Sequence, residues 1–186
     1  MRVFLDFEAS SLAKAGYPIE IAWVFEDGAA ETHLLRPLPA WTDWDPRAEA
    51  VHHISREQLA TEGEPIDRVV ELMLERLPGH ILYASSPSWD GKWLSLLLRA
   101  AGQPRHALRL RDTDEAQYEA AMTPLAPRLS GPALDTAARA IINRIRLADQ
   151  NLAIAHRALP DAMRERDLWL AIRTEAERLA RTAVNP

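Results

Sequence analysis

The sequence predicts an α/β fold: a mixed five-stranded sheet, made of a three-strand antiparallel meander plus parallel strands, flanked by helices. Three observations carry this. Three strand-like runs follow one another at the start of the chain, strands and helices then alternate, and the last third is helical only. A meander that passes into right-handed strand–helix crossovers gives a mixed sheet with helices on its faces. With 186 residues, 47% hydrophobic and 26% charged, the chain can bury a sizeable core, so residues 1–186 are read as one domain.

The elements follow in order. Val3 to Phe7 alternates as a strand. Tyr17-Pro18 leads into a second, Ile19 to Phe25, and Glu26-Asp27-Gly28 is a turn. Glu31 to Leu35 pairs back on the second strand and stops at Pro37 and Pro39. Ala40 to Pro46, with Trp41 and Trp44, is read as an ordered loop whose exposed tryptophans suit an interface or a lid. Ser55 begins a short helix, with Gln58 at the capping-box spacing. Ile66, Val69, Val70, Met73, Leu74 and Leu77 repeat with helical period until Pro78-Gly79. Ile81 to Ala84 is an apolar strand, Trp89 to Ala101 a helix, and Ala107 to Leu110 the last strand. Helices are expected at Thr113–Met122, Pro132–Asn143 and Pro160–Thr182.

Bulk composition bounds the function. There is no cysteine, which excludes disulfides and thiolate metal sites. No charged-then-apolar leader and no apolar run near ~18 residues is visible, so a cytoplasmic protein without a membrane partner is expected. A net charge of −5 argues against coating nucleic acid through a broad basic surface, but not against gripping one strand end locally. Of 22 basic residues only Lys14 and Lys92 are lysine. Arginine suits bidentate phosphate contacts, though a GC-rich coding sequence explains the bias as well.

Within the first strand, Asp6 and Glu8 share one face while Val3, Leu5 and Phe7 take the other. Neighbouring carboxylates repel, and burying them is costly unless a cation sits between them. Alone, the pair also fits the solvated face of an edge strand. Asp90 opens the helix after the fourth strand, and Asp161 follows Pro160 at the entry to the last helix. Each alone also fits a first-turn acid stabilising the helix dipole. His156 precedes Pro160 and is kept off the body of that helix; alone it also fits a capping or surface histidine. Together, four acids at element ends form an all-oxygen ligand set suited to Mg²⁺ or Mn²⁺. A histidine, with an ordinary pKa of ~6.5, can take a proton from water at neutral pH.

These residues resemble the DEDDh 3′–5′ exonucleases of the ribonuclease H-like superfamily, which include proofreading exonucleases, RNase T and oligoribonucleases. The resemblance rests on Asp6-x-Glu8, on Trp89-Asp90, and above all on His156-Arg157-Ala158-Leu159-Pro160-Asp161-Ala162. Pro18-Ile19-Glu20-Ile21-Ala22 and His52-His53-Ile54-Ser55 are similar to two further family segments. The resemblance implies a ribonuclease H-like fold and hydrolysis at the 3′ end of single-stranded nucleic acid or short oligonucleotides, with two Mg²⁺ or Mn²⁺ ions. It implies that Asp6, Glu8, Asp90 and Asp161 hold the ions and that His156 is the general base. It also implies that Ala9, Ser10, Ser11 and Leu12 lie against the terminal nucleotide. Trp89 and Trp93 stand where phenylalanine is usual and are read as core. The sequence departs from the family at Ala9-Ser10-Ser11, at Ser86, where asparagine is usual, and at His53, where glycine is common. The competing reading is a catalytically weak or inactive module of the same fold that binds nucleic acid or protein. A homodimer is left open, since some family members pair.

Overall fold

The computed structural model describes residues 1–150 and 156–182. Five strands, β1 (Arg2–Ala9), β2 (Pro18–Phe25), β3 (Ala30–Leu34), β4 (Ile81–Ala84) and β5 (Leu110–Asp112), form one sheet in the order β3-β2-β1-β4-β5. The first three pair antiparallel, and β1–β4 and β4–β5 pair parallel. This is the expected mixed sheet. The helices described are α1 (Pro46–His52), α2 (Arg56–Glu62), α3 (Ile66–Arg76), α4 (Pro87–Ala100), α5 (Thr113–Leu125), α6 (Gly131–Asp149) and α7 (Ala158–Thr182). None of them is long and apolar enough to cross a membrane.

The alternation in β1 separates two cores. Val3, Leu5 and Phe7 pack with Ile21 and Trp23 against Val69, Val70 and Met73 of α3 and Leu94 and Leu97 of α4. Phe4, on the other face, meets Tyr83 of β4 together with Ala116, Ile141, Trp169 and Ile172 of α5, α6 and α7. Period two then places Asp6 and Glu8 on the Phe4 face, toward α7. Helix α7 comes close to the sheet through small residues: Ala158 and Ala162 pack on Ala22 and Val24. Because β2 is covered on both sides, it reads as a nearly continuous apolar run broken only by Glu20.

Three elements differ from expectation. Helix α6 runs on to Asp149, where its end is expected at Asn143. Helix α1 replaces the end of the expected loop: Asp45 caps it, its carboxylate accepting from the Arg47 N–H at 2.9 Å, and Pro46 occupies the first turn. Proline there is a helix start, because its missing N–H would have had no partner within the helix. Strand β5 begins at Leu110 instead of ending there. Leu108 is buried in the preceding loop, so its burial comes from core packing and not from the ladder. The tryptophans of the 40–46 loop are packed rather than free. Trp41 stacks on Tyr17 with centroids 5.2 Å apart, and Trp44 donates to Glu49 at 2.7 Å. Ser55 caps its helix, its hydroxyl accepting from the Gln58 N–H at 3.1 Å, while the Gln58 side chain donates to Glu62 at 2.9 Å. His53 ends α1 with φ +58°, the left-handed conformation in which glycine is easiest, so the usual glycine has a backbone reason here.

Candidate active site

The C-terminal ends of β1 and β4 open into a cleft of about 480 Å³. In parallel sheets this is where ligands gather. Asp6 and Glu8 enter it from β1. The ladder to β2 shifts register between Glu8 and Ala9, which ends regular pairing next to the cleft. Asp161 comes down from the first turn of α7, and the close Ala–Ala contact of α7 with β2 brings it to β1. Asp6, Glu8 and Asp161 each offer one carboxylate oxygen, and these oxygens lie within 4.8 Å of one another. Asp90 does not belong to that trio. It sits at the start of α4, 4% exposed, on the wall of the same cleft, and its carboxylate accepts from the Ser86 N–H at 3.2 Å. His156, with φ +50°, is exposed two residues before the start of α7.

The electrostatics are those of crowded, desolvated anions. Burial raises the Asp6 carboxyl well above the usual range, and Asp90, Glu8 and Asp161 raise it further. Glu8 is pushed up to about 7 by burial, then by Asp161 and Glu20, with Arg157 pulling the other way. Asp90 is pushed up to about 7 by burial against the pull of the Ser86 and Phe7 backbone donors. Burial raises Asp161, while nearby His156 lowers it. Converging carboxylates of this kind fit a hard divalent cation, which supplies positive charge through oxygen ligands alone.

This has a consequence for pH. A carboxyl whose folded-state pKa is raised stabilises the fold below its unfolded pKa and loses that contribution as pH rises through its folded value. For Glu8 and Asp90 the loss runs from about 4 to about 7. His52, whose ring is pushed down by burial, works in the opposite sense below ~6.5 and blurs the metal-free profile. The clean readout is therefore the rise in Tm caused by Mn²⁺, since protons compete with the metal for the same oxygens. That rise should be several degrees larger at about pH 8 than at about pH 5.5, an interval that spans the ionisation of Glu8 and Asp90. An equal Mn²⁺ effect at both pH values would show that these acids do not bind the ion.

The segment after Glu8 divides. Leu12, 69% exposed, lines the cleft together with Ala9 and Ser11. Ser10 does not line it: it is fully buried, its hydroxyl accepts from the Tyr17 N–H at 3.1 Å, and its carbonyl accepts from the Asp45 N–H at 3.0 Å. Ser10 thus ties the loop together instead of facing a ligand. Ser11 donates to Asp43. Gly16 is required by this loop, because a Cβ there would stand 2.4 Å from the Ser11 carbonyl oxygen. Both tryptophans line the cleft, but Trp93 is core at 2% exposed whereas Trp89 is 39% exposed, so only one of the two is core.

Two acids that the sequence pattern did not single out for the site belong to its surroundings. Glu20, 2% exposed, lies opposite Glu8 in the β1–β2 ladder. Its carboxylate accepts from the Arg157 Nε at 3.0 Å, from an Arg157 terminal nitrogen at 2.6 Å, and from the Ala158 N–H at 2.9 Å. It therefore fixes the residues directly after His156. The signal was present: an acid inside a strand buried on both faces must have a partner. Glu165, one turn after Asp161 on α7, bonds Gln117 at 3.4 Å and adds to the negative potential on Asp6. Its spacing of four from Asp161 was the available sign.

No protein-family model matches the sequence, and no curated protein does. Solved structures do match in fold. The zinc-bound form of an Escherichia coli exonuclease I–single-stranded DNA complex superposes with TM-score 0.65 at 16% identity, over 96% of this chain and 41% of that one. Escherichia coli exonuclease I with a dT13 oligonucleotide gives 0.66 at 16%, over 96% and 42%. A moderately thermophilic exonuclease I from Methylocaldum szegediense gives 0.62 at 16%, over 97% and 42%. This chain spans less than half the length of those proteins. The likeness establishes the architecture: a mixed five-stranded α/β sheet flanked by helices, the ribonuclease H-like fold of these exonuclease neighbours.

Proposed function

We propose that this chain is a metal-dependent 3′–5′ exonuclease that hydrolyses phosphodiester bonds at the 3′ end of single-stranded RNA, DNA or short oligonucleotides. The observation that carries the reading is the meeting of Asp6, Glu8 and Asp161, from two separate elements, within 4.8 Å, where Asp6 and Glu8 also line an open cleft. Asp6, Glu8, Asp90 and Asp161 would hold two Mg²⁺ or Mn²⁺ ions. When bound, such ions neutralise the phosphate and the charge developing on the attacking and leaving oxygens. The chain's own residues do the rest. Leu12 and Trp89 give the cleft an apolar wall on which a terminal base can pack. His156, exposed at the mouth of α7, takes the proton from the attacking water. Two of the Escherichia coli fold neighbours are complexes with single-stranded DNA or a dT13 oligonucleotide, which supports the same substrate class.

The test is a gel assay with 5′-labelled single-stranded RNA and DNA in Mn²⁺, Mg²⁺ and EDTA. A metal-dependent ladder shortening from the 3′ end is expected. Folded protein that binds Mn²⁺ yet cleaves neither strand would point to a binding module instead. His156→Ala should lower kcat by about 10²–10⁴, the usual worth of a general base, while calorimetric Mn²⁺ affinity stays the same. Undiminished cleavage in that variant would remove the base assignment.

A further inference from the structure

A second groove, of about 540 Å³, lies on the other side of the first turns of α4. Trp89, Asp90 and Trp93 line the active-site cleft, whereas Pro87, Gly91, Lys92, Leu94 and Ser95 line this groove. One helix about 10 Å across therefore separates the two. The groove's far wall is the loop between α4 and β5, which contributes Arg105, His106 and Arg109. Among the described residues that line it there is no carboxylate.

This is unusual in a chain of net charge −5. Elsewhere the arginines are mostly matched with acids. Arg139, Arg144, Arg146, Arg164, Arg173 and Arg178, on α6 and α7, all pair with carboxylates. Arg105 instead donates to its neighbour His106 at 2.9 Å, and Arg105 and Arg109 are both exposed. Lys92 is held in place: its Nζ donates to the Ala13 carbonyl at 2.8 Å and sits 3.9 Å from the Trp93 ring centroid. Ala13 belongs to the loop that also presents Leu12 to the cleft, so Lys92 stands at the boundary between the two depressions. A cationic groove free of acids, next to an anionic cleft on an acidic protein, is the footprint of a phosphate backbone.

We infer that Lys92, Arg105 and Arg109 form a second phosphate-binding subsite, which holds the backbone of a single strand upstream of the nucleotide in the active-site cleft. This rests on the nuclease reading above. It assigns that enzyme a preference for strands long enough to cross α4, since a dinucleotide ends before the groove. Arginine forks suit successive phosphates, and the affinity they supply is salt-dependent and blind to sequence.

The experiment uses the whole chain in EDTA, so that nothing is cleaved, and a fluorescent thymidine oligonucleotide about twenty nucleotides long. Anisotropy is read from about 20 to about 200 mM salt for the native protein, for Arg105→Ala/Arg109→Ala, and for a control, Arg128→Ala/Arg181→Ala, that removes the same charge elsewhere. Two lost phosphate contacts should lower the slope of log K against log salt by about 1.4 and weaken binding roughly tenfold at low salt. The control should keep the native slope. With Mn²⁺ restored, the groove variant should raise KM for the long strand far more than for a dinucleotide. An unchanged slope, an equal loss in the control, or equal KM effects on both substrates would each overturn the subsite. So would a native protein that fails to bind the strand at the lowest salt. Cleavage of the dinucleotide by the native protein reports separately on the nuclease itself, so the two ideas fail distinguishably.

Discussion

Asp6→Asn should abolish strand shortening and, at the same time, make the metal-free protein more stable. The two effects have one cause. In the folded chain Asp6 is desolvated and faces Asp90, Glu8 and Asp161, so its charged form is held at a cost that only a cation relieves. The amide keeps the shape and removes the repulsion. Each kcal/mol gained is worth about 2–4 °C of Tm at this chain length, and a rise of a few degrees in EDTA is expected. Activity should fall on the order of 10³-fold or more, because a single group that stabilises the developing charge is already worth about 10²–10³. The stabilising effect of Mn²⁺ should largely vanish. A lower Tm in EDTA would instead mark Asp6 as a structural residue with partners of its own, and full activity would dismiss it from the site.

Arg157→Ala should be the most destabilising change near the site, and more so than Glu20→Ala. The pair is asymmetric: the Glu20 side chain is 3% exposed and that of Arg157 is 38% exposed. Removing Glu20 leaves a guanidinium that can turn to water, and the expected loss is that of hydrogen bonds to a charged group, about 1–3 kcal/mol. Removing Arg157 leaves the Glu20 charge buried opposite Glu8 without its counter-ion, with only the Ala158 N–H still donating to it, the situation that costs about 3–5 kcal/mol. Denaturant midpoints should show that order. The double variant Glu20→Leu/Arg157→Leu should recover part of the stability lost in Arg157→Ala, since no buried charge is left alone. It should not recover cleavage, because the Glu20 carboxylate also holds the Ala158 N–H and with it the turn that presents His156. Equal destabilisation by the two single alanine variants would show that the burial difference has no energetic weight.

Much of the architecture was legible in the chain. Period two in β1 told which side chains oppose which, and helical period with Pro78-Gly79 closed α3 within a residue or two. What misled was punctuation with two meanings. Asp45-Pro46 ends a loop and begins a helix with the same two residues, and only the cap hydrogen bond decides between them. Leu108 is buried without lying in a strand, so apolar character alone misplaced β5. Trp89 and Trp93 are four apart on one helix face and both reach the cleft, yet Trp93 is buried in the core and Trp89 is exposed, because α4 starts at the cleft and then runs beneath the sheet.

By itself the sequence determined the order and kind of most elements, the face that Asp6 and Glu8 share, and the residue types available for oxygen-only metal chemistry. Those follow from local periodicity and side-chain chemistry, which each short stretch carries with it. Only the tertiary structure decided which scattered charges meet. It brought Asp161 to Asp6 and Glu8 while leaving Asp90 on the wall, turned Ser10 inward and Trp89 outward, bound Glu20 to Arg157, and set Lys92, Arg105 and Arg109 around one groove. Such meetings depend on how closely α7 and α4 approach the sheet. For α7 that distance is set by residues remote in sequence, Ala22 and Val24 against Ala158 and Ala162, and no local pattern marks the small size of the two α7 alanines as significant.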